Sequence, residues 1–364
     1  MASALALGLA RATAVADPAP ESAARGRAVF EERCASCHGS AGRGDGPALA
    51  GSPIRPPDFT DCRFAAREPD ADFLAVAHGG GPARGFSPLM PPHGEAVPEA
   101  ALRDAIAHVR TLCTDARWPR GELNFPRPLF TEKAFPEDEA VVTTRGNLED
   151  DGFVESELVL EKRIGPRSQL ELAGRGVARE ESAPGDGWAA GGGDLFVGAK
   201  HVLFHDLAPG SILSVGGELR IPTGDEDRGL GAGTFVGEPY LAFGQRLGEN
   251  AFLQVQALAE LPFDEDPAQP EAQLRAAFGW SVAQDRFGRT WSPMLEVIWT
   301  SVFDGPVHHE VDLVPQVQVT LSRRQHVRLD VGLRVPVDES GRRPTQLAAY
   351  LLWDWFDGGL LDGW

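Results

Sequence analysis

The sequence has no cysteine after Cys113, no lysine in its first 120 residues, and no apolar run that could form a membrane-spanning helix. Such a helix needs ~18 uninterrupted apolar residues. The missing cysteines exclude a disulfide framework or a thiolate metal site from the last two thirds of the 364-residue chain. Basic charge is also scarce, with 34 Lys and Arg against 53 Asp and Glu, a net charge of -19. The deficit is uneven. Residues 1–120 hold 13 Arg and 14 acidic residues, whereas 121–364 hold 21 basic and 39 acidic residues. Without a basic face the chain has no footprint for nucleic acid. Its acidity is compatible with cations or basic proteins as partners, and charge alone does not choose between them.

Export is the first expectation from what is present. Ala4 to Val15 is a short, mostly apolar run, and Ala14-Val15-Ala16 offers a small-residue cleavage site, so residues 1–16 read as a signal peptide. All four cysteines lie in the front third: Cys34, Cys37, Cys62 and Cys113. The first two stand in Cys34-Ala-Ser-Cys37-His38, a C-x-x-C-H pattern. That spacing serves covalent attachment of haem c. Two thiols one helical turn apart can form thioethers with the two vinyl groups of one porphyrin edge, and the adjacent imidazole becomes the proximal iron ligand. A structural zinc site would require two further ligands at metal spacing.

The flanking residues carry a family resemblance. Arg25 to Arg33 places Val29 and Phe30 on one helical face leading into the motif. Gly42 to Leu49 is a glycine-rich turn, and Pro98 to Leu112 sets Leu102, Ile106 and Val109, with Cys113 just beyond, on one stripe. Over about residues 21–115 the chain resembles class I c-type cytochromes. By that resemblance the Pro47 carbonyl accepts a hydrogen bond from the proximal imidazole; an ordinary Gly-Pro turn is the other reading of Pro47. Met90, in Ser87-Pro-Leu-Met-Pro-Pro-His93, resembles the family's distal Met-Pro motif, which implies His38 and Met90 as the two iron ligands. Met90 as a core methionine, and His78 or His93 as the ligand instead, are the alternatives. Cys62 and Cys113 are expected to form a disulfide in an oxidising compartment, with free buried thiols as the alternative.

Residues 116–137, rich in Pro, Phe and Glu, read as a linker between domains 17–115 and 138–364. Beyond it the period changes to two. Val327, Leu329, Val331, Leu333 and Val335 alternate with polar residues or glycine, and 310–321 does the same. Similar alternation runs through 153–163, 168–179, 194–204, 211–221, 250–261 and 272–282, and more weakly through 234–245, 291–303 and 345–356. Ala140 to Arg145 adds a twelfth segment. A soluble β-sandwich also alternates, but here short turns (164–167, 247–250, 322–325) take turns with long polar loops (180–193, 222–233, 262–271, 336–344). That is the habit of an up-and-down antiparallel transmembrane β-barrel of an even number of strands, about 12. Tyr240, Trp280, Trp291, Trp299, Trp353 and Trp355 are expected in its interface girdles. An even count puts both ends of the barrel on one side of the membrane.

The whole resembles a cytochrome–porin fusion of the outer membrane, a multidomain chain with an all-α cytochrome followed by a barrel. The resemblance implies electron transfer through one haem c, lipid around the barrel, periplasmic redox carriers as partners and a cytochrome on the periplasmic side. Acidic loops such as 224–228 and 264–266 read either as solvated loops or as places that gather external metal ions. Fusions that oxidise external ferrous iron resemble this chain in architecture, but their barrel is larger than the one counted here. The competing reading is a solute channel whose selectivity is tuned by Arg175, Lys200, Arg220, Arg328 and Arg334, with the cytochrome as tether or redox sensor. Haem-based catalysis is disfavoured because an iron ligated by Met90 has no open position.

Overall fold

The computed structural model describes residues 20–149, 152–180, 187–338 and 343–364. The expected signal peptide at 1–16, and part of the loop 180–193, lie outside the described residues.

Among the described residues five α-helices come first: α1 (Pro20–Arg33), α2 (Ala35–His38), α3 (Cys62–Ala65), α4 (Asp70–Gly79) and α5 (Glu99–Arg110). The apolar stripes read from the sequence meet where α1 packs on α5. Phe30 and Val109 are buried together with Phe59, while Leu102 and Ile106 join Leu74 and Val97. Gly26 permits the close approach of the two helices, because a Cβ there would collide with the Asp104 carbonyl on α5. Ser22 donates to the Asp104 carboxylate on the same seam, and Arg25 Nε reaches it at 2.7 Å. Cys62 and Cys113 are joined by a disulfide, with Cα atoms 5.1 Å apart, which ties α3 to the end of α5.

The strands follow as β1 (Glu139–Asn147), β2 (Phe153–Ile164), β3 (Ser168–Glu180), β4 (Trp188–Asp206), β5 (Ser211–Ile221), β6 (Val236–Leu247), β7 (Ala251–Pro262), β8 (Glu271–Trp280), β9 (Val282–Ala283), β10 (Thr290–Val302), β11 (His308–Thr320), β12 (Val327–Pro336) and β13 (Gln346–Asp354). Each long strand pairs antiparallel with its sequence neighbours, and β9 continues β8 beside β10 after a break at Ser281. The last strand returns to the first, with Val141 opposite Leu352, so the sheet closes into a barrel of 12 staves. Closure removes every free edge, the condition for a sheet to stand in lipid.

The two faces of the wall differ as the alternation requires. Leu158, Leu160, Leu170 and Leu172 face outward and exposed, whereas Glu161, Gln169 and Lys200 face the lumen and are buried. Trp280, Trp291 and Trp299 stand exposed on the outer face, and Trp355 lies 4.8 Å from the Lys162 ammonium. Tyr240 is a correction to the expected girdle. It points inward and is buried, its ring filling the space left by Gly216 on the neighbouring strand. Trp353 is half-buried and donates from Nε1 to the Gly358 carbonyl.

The expected linker is also corrected. Its second half enters the lumen as a plug. Leu123, Phe125, Ala134 and Phe135 pack into one core with inward Val202, Ile212, Tyr240 and Phe252. The wall's polar side chains then take up the plug's backbone groups. Gln316 accepts from Leu129 N–H at 2.9 Å, Gln256 from Glu132 N–H at 3.0 Å and Gln169 from Glu137 N–H at 2.7 Å, while Gln254 donates to Pro126 O at 2.8 Å. The prolines that suggested a linker suit such a segment. It has no ladder of its own, so its backbone must be paired from the surrounding wall.

The plug fills the half of the barrel nearest the short turns. The other half is a polar vestibule in which Arg175 reaches Glu157, Arg220 reaches Asp194 and Arg334 reaches Asp312. The loop 222–235 folds over the far mouth, with Asp194 accepting from Gly224 N–H and Ala232 N–H and with Leu230 buried beneath.

Candidate functional site

Helix α1 runs almost directly into α2, and this positions the C-x-x-C-H residues. Cys34 N–H donates to Phe30 O and His38 N–H to Cys34 O, both at 2.9 Å, so Cys34, Cys37 and His38 lie within one turn. The glycine-rich turn folds back on them, with Gly44 N–H donating to His38 O at 2.8 Å and Gly46 N–H to Cys37 O at 3.1 Å. The His38 ring stacks on Phe59, with centroids 4.9 Å apart. Burial, reinforced by His93, lowers His38 to about 4 and keeps the imidazole neutral, the form that binds metal.

These residues open into a cavity of about 490 Å³ walled by Phe30, Phe59, Phe64, Phe73, Leu102 and Ile106. Met90 lines the same cavity from the loop after α4. That loop is tight, since Gly81 N–H donates to Met90 O at 2.9 Å. Gly80 adopts φ +77°, and a Cβ there would sit 2.9 Å from the Met90 carbonyl. His93 also lines the cavity, and burial together with Arg33 lowers its pKa. The rival ligand His78 is turned away, its ring packed 5.3 Å from Phe287 of the barrel. The expected hydrogen bond to Pro47 is not formed. The Pro47 carbonyl accepts from Ala50 N–H at 3.2 Å within its own short turn, and His38 Nδ1 has no partner among the described residues.

The residues fit a haem on two observations. Cys34 and Cys37 remain unpaired in a chain whose other two cysteines are bridged. His38 is a buried imidazole beside them, with an orphaned ring nitrogen, against an aromatic wall.

Residues 23–112 match the cytochrome c family model. This chain is thus a cytochrome c domain joined to a closed β-barrel, and the cofactor such a domain carries is covalently bound haem c. No curated protein matches the chain. Among solved structures, an outer membrane channel from Pseudomonas putida F1 aligns over 63% of this chain and 99% of its own, at 17% identity and a TM-score of 0.43. The KdgM porin aligns over 59% and 99% at 10% identity and a TM-score of 0.39. The beta domain of the Bordetella autotransporter BrkA aligns over 60% and 98% at 17% identity and a TM-score of 0.39.

The cytochrome domain docks on the short-turn end of the barrel. Arg84 donates to the Phe287 carbonyl and to Asp72, both at 2.6 Å, Arg286 pairs with Glu99, and the rings of Phe64 and Phe356 lie 6.5 Å apart. Two barrel residues, Arg324 and Asp357, reach far enough to line the cytochrome cavity. Nothing in the sequence pattern singled them out, because both lie in segments without periodicity.

A second cluster lies in the lumen, where oxygens of Glu132, Glu161 and Glu171 come within 4.8 Å of one another. Two of the three carboxylates are paired within the protein. Lys200 Nζ reaches Glu132 at 2.6 Å and Arg127 reaches Glu161 at 2.8 Å. The acidic loops expected to gather metal ions use carboxylates to close their own turns, Asp225 accepting from Arg228 N–H and Asp264 from Asp266 N–H.

Proposed function

We propose that the protein is a one-electron carrier anchored in the outer membrane, with its cytochrome domain on the periplasmic side, exchanging electrons with periplasmic redox carriers. The observation that carries the reading is the cavity in which the unpaired Cys34 and Cys37, the neutral His38 and the facing Met90 come together. Haem bound there would supply an iron centre that gains and loses one electron. Cys34 and Cys37 would hold it through thioethers, and His38 and Met90 would ligate its iron, a pair that raises the potential relative to two histidines. Phe30, Phe59 and Phe73 give the cavity an apolar wall. The outward leucines, the closed sheet and the alternation of short turns with long loops support the barrel's place in a bilayer.

The plug weighs against the solute-channel reading, since Phe125 to Phe135 fill the half of the lumen next to the cytochrome. It also bears on the electron donor. An apolar band ~25 Å tall separates the two mouths of such a barrel, and the cytochrome docks at one of them, so a carrier on that side is the partner within reach. Membrane fractionation followed by haem staining with and without boiling tests the proposal. A haem-stained outer-membrane band that changes mobility on heating is expected. A haem-stained soluble band of unaltered mobility overturns the membrane assignment, and a barrel without haem stain overturns the electron-carrier reading.

A further inference from the structure

The cytochrome does not close its own cavity. Arg324, from the short turn between β11 and β12, stands in the wall together with Cys34, Cys37 and His38. Its guanidinium is held from several directions. Nη1 donates to the Asp357 carbonyl at 2.8 Å, Nη2 to the Gly85 carbonyl at 3.3 Å, and the group lies 4.5 Å from the centroid of the Phe86 ring. Gly85 and Phe86 belong to the loop that carries Met90, so a barrel turn braces the loop of the expected distal ligand. Arg324 Nη1 also lies 3.8 Å from the Asp362 carboxylate. A guanidinium has two N–H groups on each Nη nitrogen, so Nη1 and Nη2 each keep a donor beyond the carbonyls they already meet.

Arg33, Arg55 and Arg84 also line the cavity. Arg84 has Nε committed to Asp72 and Nη1 to the Phe287 carbonyl, and Arg33 pairs with Glu32 at 2.9 Å. A haem brings two propionate carboxylates that the aromatic wall cannot satisfy. We propose that the Arg324 guanidinium pairs through its remaining Nη N–H groups with a haem propionate, so that the barrel completes the cofactor site of the cytochrome and sets its reduction potential. This rests on the haem reading above. The electrostatics give a sign. A guanidinium beside the cofactor opposes the extra positive charge of the ferric state and favours the ferrous one, and net charge around a redox centre is a main determinant of its potential. Arg324 acts by positioning and charge rather than as an iron ligand.

The test is a spectroelectrochemical titration of the full-length, haem-loaded protein in detergent at one pH. Arg324→Gln is expected to move the equilibrium about tenfold toward ferric haem, which is 59 mV for one electron. Arg324→Lys, which restores the charge, recovers most of that shift. Arg323→Gln removes an equal charge at the neighbouring exposed position, outside the cavity wall, and it leaves the potential unchanged. A wild-type potential in Arg324→Gln, or an equal shift in Arg323→Gln, overturns the inference. A protein carrying haem whose potential ignores Arg324 refutes this inference alone, whereas a protein that never acquires haem refutes the electron-carrier reading beneath it.

Discussion

Lys200 on β4 and Glu132 on the plug meet at 2.6 Å inside the barrel, and the same ammonium donates to the Lys133 carbonyl at 2.8 Å. This contact joins wall to plug through charge that water does not reach. Removing one partner of a buried ion pair costs about 3–5 kcal/mol, because the other charge is left uncompensated. Lys200→Met is therefore expected to lower the temperature at which the barrel loses its compact gel mobility. The double variant Lys200→Met/Glu132→Met recovers most of the loss. A single variant as heat-resistant as the wild type contradicts this account of how the plug is seated.

The plug predicts a closed pore. In planar bilayers the wild-type protein is expected to show no stepwise conductance. A variant in which residues 125–135 are replaced by a Gly/Ser stretch of equal length conducts, since it loses the aromatic fill of Phe125 and Phe135 and the bonds to Glu296 and Gln256. Open conductance in the wild type restores the solute-channel reading.

The Cys62–Cys113 bridge spans 51 residues. In the chain-entropy account, closing a loop of that length stabilises the folded domain by roughly 4 kcal/mol. The double variant Cys62→Ala/Cys113→Ala is expected to unfold its helices at a clearly lower urea concentration, followed by circular dichroism, while the gel mobility of the barrel is unaffected. A common midpoint shift for both parts would mean that they unfold as one unit.

Acid should loosen the seam between α1 and α5. Hydrogen bonds from Arg25 and Ser22 hold the Asp104 carboxyl below its ordinary value. For a carboxylate with a depressed folded-state pKa, the stabilisation is fully present above the unfolded value of about 3.9 and is lost as pH falls through the folded value. Helical stability of the cytochrome domain is expected to decline over that acid range, and Asp104→Asn flattens the decline. An identical acid limb in the variant assigns the loss to other carboxylates.

Leu172 faces outward near the middle of β3, opposite Leu160 of β2. An arginine at the midplane of such a barrel costs about 2–4 kcal/mol, falling to about 0–1 near the interface. Leu172→Arg is expected to destabilise the lipid-embedded protein in urea titrations by that larger amount. Ile164→Arg, beside a short turn, has little effect. Equal effects at both positions contradict the placement of the apolar band.

The parts of this fold that were legible in the sequence are those written in a period or a fixed spacing. The stripe of Leu102, Ile106 and Val109 gave α5, and Val327 to Val335 gave β12, because a helix or strand repeats its burial at every turn or every second residue. Cys34, Cys37 and His38, singled out by a fixed spacing, and Met90, singled out by the prolines around it, line one cavity. The plug was not legible. Phe125, Phe130 and Phe135 have no period, and their burial is decided by Phe252, Glu296 and Tyr240 more than a hundred residues away. Tyr240 was misplaced for a related reason, since an aromatic residue near a strand end suits the interface unless a glycine opposite makes room for it inside. Arg324 and Asp357 were missed because their place in the cavity depends on how one domain docks on the other.

The plug enters and leaves the barrel through one mouth. Gly121 N–H donates to Ala66 O in the helical domain, Phe130 N–H reaches Glu296 midway along β10, and Glu137 N–H returns to Gln169 at the short-turn end of β3. A loop that goes in and comes back by the same opening threads nothing, so the chain has no knot for the closed ring to trap. The seam between β1 and β13 can zip before or after the loop slides into place. Thioether formation on the helical domain and insertion of the barrel are therefore topologically independent steps, open to separate machineries working in either order.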